Sequence, residues 1–138
     1  MTTYEQKAME LRSVMGDNGK PKYNCAQAVV SAFAEALGYD QETACRTAAL
    51  FRAGMQMGSV CGAVTGGLMV LGLAGLKGPE VTDAYYGKFR ERHGDMINCA
   101  DLLRAGAERG EQKLPWCNAL IRECIGYVEE ALREQGKL

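Results

Sequence analysis

From Ala53 to Leu76 the chain carries no charged residue. A stretch of that length could span a bilayer. Yet it holds seven glycines, at 54, 58, 62, 66, 67, 72 and 75, together with Gln56, Ser59 and Thr65. The apolar run from Val60 is shorter than a usual span, so the segment reads as a buried central helix of a soluble bundle. Glycine inside a helix costs about 1 kcal/mol relative to alanine. Gly62, Gly66 and Gly67 must offset that cost through close approach. The approaching partner is either another helix or a sulfur, cofactor or substrate near Cys61, and the sequence leaves both open.

The rest of the chain also has helical periodicity and weak strand signals. Helices are expected over Thr3–Met15, Cys25–Leu37, Gln41–Arg52, Val60–Leu73, Glu80–Arg92, Cys99–Arg104 and Pro115–Gln135. On the first, Ala8, Leu11 and Met15 form the apolar face. Gly16 to Lys22 is a linker of turn formers, and Ala53 to Ser59 is a glycine-punctuated loop. No tandem repeat or low-complexity tract interrupts the pattern. The expected architecture is all-α: one domain over 1–138, a bundle of six to seven helices with a glycine-containing central helix.

Lys and Arg number 16 against 17 Asp and Glu, a formal net charge of −1. That balance lacks the basic face of a nucleic-acid binder and the polybasic patch of a membrane anchor. The opening MTTYEQKAMELRSVMG is charged and amphipathic, without the apolar core of a signal peptide. A cytoplasmic protein is expected, with no nucleic acid and no membrane among its partners. Cysteines in that compartment serve catalysis, redox sensing or metal binding more often than structural bridging.

Four of the six cysteines fall where helices should begin. Cys25 follows Asn24, Cys99 follows Asn98, Cys61 lies two residues after Ser59, and Cys117 two after Pro115. Asn and Ser cap helices, and Pro suits the first turn. The free N–H groups and dipole of a helix N-terminus stabilise a thiolate. Cys61, among small neighbours, is the leading site candidate. Cys117 and Cys124 share a helix face about 10 Å apart and cannot bridge each other. Cys45, among alanines, reads as core. No CxxC, dinucleotide, phosphate-loop or nucleophile-elbow motif is present. The single histidine, His93, sits among charges and reads as a solvated helix end.

These residues carry a resemblance. Asn24-Cys-Ala-Gln-Ala-Val29, Val60-Cys-Gly-Ala-Val-Thr-Gly-Gly-Leu-Met69, Cys99-Ala-Asp-Leu-Leu103 and Cys124-Ile-Gly-Tyr-Val128 occur in order along the chain. In this the chain resembles the redox-associated family C_GCAxxG_C_C, over about residues 20–132. The central motif here reads Cys61-Gly62-Ala63-x-x-Gly66, with Gly and Cys exchanged relative to the family label. Cys117 competes with Cys124 for the last station. The resemblance implies a redox-related role and names no substrate.

Three functions are carried forward. The leading one is a cysteine-based redox protein performing thiol–disulfide exchange or electron transfer with a partner protein or small thiol. In it Cys61 attacks and Cys25, Cys99 or Cys124 resolves. Cys61 should then alkylate faster than Cys45 at neutral pH. The second is a metal site, zinc or an iron–sulfur cluster, held by Cys25, Cys61, Cys99 and Cys124. The third is a non-catalytic interaction module, with Tyr85, Tyr86, Phe89 and Trp116 forming a homodimer face.

Overall fold

The charge-free segment supplies the central helix. In a computed structural model describing all 138 residues, seven α-helices follow in order. They are α1 (Thr3–Arg12), α2 (Cys25–Ala34), α3 (Gln41–Thr47), α4 (Gly62–Leu73), α5 (Pro79–Arg92), α6 (Cys99–Glu108) and α7 (Lys113–Glu134). A 3-10 turn, Glu35–Leu37, extends α2. The all-α expectation and the helix count agree with this arrangement. No helix is long and apolar enough to cross a membrane.

α2 and α4 form the heart of the bundle, and α1, α3 and α7 pack around them. The glycines of α4 let this happen. A Cβ on Gly66 would stand 2.9 Å from the Ala26 carbonyl oxygen on α2. A Cβ on Gly67 would overlap the Tyr85 hydroxyl, which donates to the Val64 carbonyl at 3.0 Å. Helix–helix approach therefore accounts for Gly66 and Gly67. At Gly62 a Cβ would stand 3.2 Å from the Cys25 Cβ and 3.3 Å from the Ala26 nitrogen, so this glycine too admits α2.

Several boundaries differ from expectation. α1 stops at Arg12 rather than Met15, because Met15 leaves the helix to pair with Pro21 across the linker. α3 ends at Thr47 rather than Arg52. There Gln27 Nε2 donates to the Cys45 carbonyl, and Asn24 Nδ2 donates to those of Ala48 and Ala49. Side chains of α2 thus satisfy carbonyls at the end of α3, and the helix need not continue. α6 extends past Arg104 to Glu108, and Gly110, at φ +79°, turns the chain after it. α7 opens at Lys113, so Cys117 lies in its second turn and not at its start.

The loop between α3 and α4 is left-handed. Ala53, Met55 and Gln56 have φ of 50°, 60° and 60°. Conformations of this kind cost about 1 kcal/mol or more for residues other than glycine. Gly54 sits among them because a Cβ there would run into the Ser59 backbone.

Two side-chain expectations are corrected. Tyr85 and Phe89 are buried in the core and cannot form a dimer face. His93 is also buried: its Nε2 bonds Glu123 at 2.9 Å, and its ring packs on Phe89. The charged neighbours of His93 project outward, while His93 itself lies on the inner side of the helix end.

Candidate functional site

Each cysteine station is built by its own local device. Cys25 is the first residue of α2, behind a complete capping box. Asn24 Oδ1 accepts the Gln27 N–H at 2.9 Å, and Gln27 Oε1 accepts the Asn24 N–H at 3.0 Å. The Asn24 amide also holds the end of α3, as described above. Asn24→Ala should therefore lower stability by about 2 kcal/mol, the upper range for a lost cap. A urea melt reads this, and a loss below about 0.5 kcal/mol would show the cap to be redundant.

Cys61 and Cys99 are joined by backbone pairing. Val60 and Asn98 form an antiparallel bridge. The Cys61 N–H donates to the Ile97 carbonyl at 2.9 Å, and the Cys99 N–H to the Ser59 carbonyl at 2.6 Å. Side chains alternate along extended chain, so Cys61 and Cys99 emerge on one face of the bridge. Cys61 is the N-cap of α4 and Cys99 the first residue of α6. Asn98 makes no side-chain cap bond. Cys117 arrives from α7, whose Trp116 donates its indole N–H to the Leu102 carbonyl of α6 at 2.9 Å.

Cys25, Cys61, Cys99 and Cys117 all line one cavity of about 490 Å³. Leu102, Leu103, Leu114 and Leu120 supply apolar wall, and Arg12, Lys20, Arg52 and Lys113 supply positive charge. No carboxylate lines it. Cys124 is fully buried in the core, outside the cavity. Cys45 lies outside it too. Of the candidates read from the sequence, the structure brings Cys25, Cys61 and Cys99 together with Cys117 and leaves Cys124 apart.

The cavity sulfurs are not equivalent. A hydrogen bond from Cys117 favours the Cys25 thiolate; against the cost of burial, it and the nearby Arg12 and Lys113 bring the Cys25 thiol down to about 7. The same bond holds the proton on Cys117 and, with burial, pushes that thiol up. Burial, with the negative Cys25 beside it, raises Cys61 to about 12. Cys99 is raised for the same two reasons. The N–H groups of Ala63 and Val64 do favour a Cys61 thiolate, as a helix start should, but burial outweighs them. Cys61 therefore holds its proton more tightly than an ordinary thiol.

The Cys25–Cys117 pair and the cations were not read from the sequence. One signal for Arg12 was present: it lies four residues after Ala8, on the same inward face of α1.

All six cysteines are free thiols, and no three His, Cys, Asp or Glu side chains are grouped so as to hold a metal ion. The tetrahedral set Cys25, Cys61, Cys99 and Cys124 expected for zinc or a cluster does not form, because Cys124 faces the core.

The family described as "Putative redox-active protein (C_GCAxxG_C_C)" matches residues 23–131. The chain belongs to this family. The C_GCAxxG_C_C match encloses Cys25, Cys61, Cys99, Cys117 and Cys124, so the choice of fourth station falls to the geometry. Arg12 and Lys20 lie before the C_GCAxxG_C_C match, yet they line its cysteine cavity. No curated protein and no solved structure matches the chain significantly.

Proposed function

We propose that the chain is a dithiol–disulfide exchange protein in which Cys25 attacks and Cys117 resolves. The observation that carries this reading is that Cys25 and Cys117 line one cavity with Arg12, where the ionisation of Cys25 is eased and that of Cys117 opposed. Cys25 is the one cavity thiol whose ionisation is eased, while those of Cys61, Cys99 and Cys117 are opposed.

The Cys25 thiolate attacks one sulfur of a substrate disulfide. A Cys25–substrate disulfide forms, the substrate S–S bond breaks, and one substrate thiolate leaves. Cys117 then attacks Cys25 Sγ, forming the Cys25–Cys117 disulfide and releasing the second substrate thiolate. The proton of Cys117 passes to a leaving thiolate or to water. The substrate gains two electrons and the protein loses them.

The pairing explains why the second step follows the first. Cys117 holds its proton because it faces a Cys25 anion. Once Cys25 is in a mixed disulfide, that anion is gone. The Cys117 thiol then falls toward its ordinary range, with Arg12 still favouring the thiolate. Cys61 and Cys99, on one face of the 60–98 bridge, would accept the disulfide in a further exchange.

The reading is tested by treating reduced protein with one equivalent of hydroxyethyl disulfide and mapping peptides without reductant. The expected product is a Cys25–Cys117 link, formed equally in Cys124→Ala. A link through Cys124, or Cys25 stalled as a mixed disulfide in the unsubstituted protein, would overturn it.

A further inference from the structure

The four cations of the cavity have no carboxylate to face. The ion pairs of this molecule lie elsewhere, using Lys88, Arg92, His93, Arg104, Arg122 and Arg133. Arg12, Lys20, Arg52 and Lys113 take part in none of them. Three of these, Lys20, Arg52 and Lys113, are exposed and stand at the opening.

Arg12 is the most informative. It is only 7% exposed. A buried charge is costly unless paired or fully hydrogen-bonded. Arg12 Nε donates to Asn118 Oδ1 at 2.9 Å, and Nη1 donates to the Tyr23 carbonyl at 2.9 Å. Both partners are neutral, and both fix the plane of the guanidinium. Nη2 has no protein acceptor, and the side chain lines the cavity. Guanidinium held this way is suited to planar, bidentate recognition of carboxylate or phosphate.

A single thiolate at Cys25 does not need four cations from four separate segments. Arg12 comes from α1, Lys20 from the following linker, Arg52 from the left-handed loop, and Lys113 from the first residue of α7. The cavity volume, about 490 Å³, is that of a small-molecule site.

We infer that the substrate of this pocket is a small anionic disulfide, one whose carboxylate or phosphate seats on Arg12 while its sulfur meets Cys25. The inference rests on the exchange reading above and names its substrate class. The exposed cations draw the anion to the opening, and Arg12 fixes its orientation. The leucines of the wall receive the carbon chain between charge and sulfur. A neutral disulfide would enter without that guidance, and a cationic one would be repelled.

The test compares three disulfides of similar size: dithiodipropionate (anionic), hydroxyethyl disulfide (neutral) and cystamine (cationic). Oxidation of Cys25 is followed at low and high salt. The anionic reagent should react about tenfold faster than the neutral one at low salt, with cystamine slowest. The contrast should shrink as salt screens the rim. Adipate, a dianion with no sulfur, should protect Cys25 from iodoacetamide. In the Cys25→Ser/Cys117→Ser variant, adipate should still raise the melting temperature, which separates an anion site from mere thiolate stabilisation.

Arg52→Gln/Lys113→Gln alters two exposed side chains and should lower the anionic-to-neutral rate ratio. A change in the intrinsic reactivity of Cys25 alone would leave that ratio in place. Arg12→Met should lower the ratio further, with its fold checked by circular dichroism. Equal rates for all three disulfides, with no adipate protection, would overturn the substrate class and leave the exchange reading standing. Adipate binding without reaction of Cys25 and Cys117 with any disulfide would overturn the exchange reading, and the substrate class with it.

Discussion

Cys25 is expected to alkylate at least a hundredfold faster than Cys61 at pH 7. At that pH a thiol of about 7 is half ionised, whereas one of about 12 is ionised to roughly one part in 10⁵. The more basic thiolate is intrinsically the better nucleophile, which returns about two of those five orders. Burial of Cys61 at 5% exposure slows it further. Iodoacetamide labelling with peptide mass spectrometry measures the ratio directly. The rate at Cys25 should rise with pH through a midpoint near 7.

The sign of the partner's effect follows from the same pair. The Cys117 hydrogen bond favours the Cys25 anion, so Cys117→Ala should move the midpoint upward and slow labelling severalfold below pH 7. Comparable labelling of Cys25 and Cys61, or a midpoint unmoved by Cys117→Ala, would remove Cys25 from the attacking role.

Gly67→Val should destabilise the fold by about 3 kcal/mol, the upper range for overpacking a core. The new Cβ would meet the Tyr85 hydroxyl and ring and then Val128. Tyr85 cannot swing away, being 3% exposed and bonded to the Val64 carbonyl. For a chain of this size the melting temperature should fall by about 10 °C. Because the first overlap is with the hydroxyl, adding Tyr85→Phe should return part of the loss. Full stability in Gly67→Val alone would mean that α4 and α5 pack less tightly than described.

The sequence made the bundle legible because its strongest signals are local. Helical periodicity, the Asn24 cap and the charge-free run of α4 each act within a few residues. Boundaries failed where distant groups decided them. α3 ends early because Asn24 and Gln27, on another helix, take its carbonyls. His93 was misplaced because its charged neighbours hid an inward-facing position.

The site was legible as residue types more than as an arrangement. Cys25, Cys61 and Cys99 could be found from their places at helix starts. Burial could not, and burial decides that Cys61 holds its proton. Nor could the choice of Cys117 over Cys124. The two share a helix face, and only the packing of α7 against α2 and α4 puts one at the cavity and the other in the core. Arg12 was hidden by its place at the end of an amphipathic helix, where a basic residue is ordinary.

Cys25 and Cys117 belong to the first and last helices of the cysteine region and meet only when the whole chain is assembled. Sulfur reactivity in this protein is therefore a gauge of folding. Partial opening would let Cys25 drift back toward an ordinary thiol while baring Cys124, which the native core conceals. The order in which the two are labelled would report, molecule by molecule, whether the bundle was closed at the moment the reagent arrived.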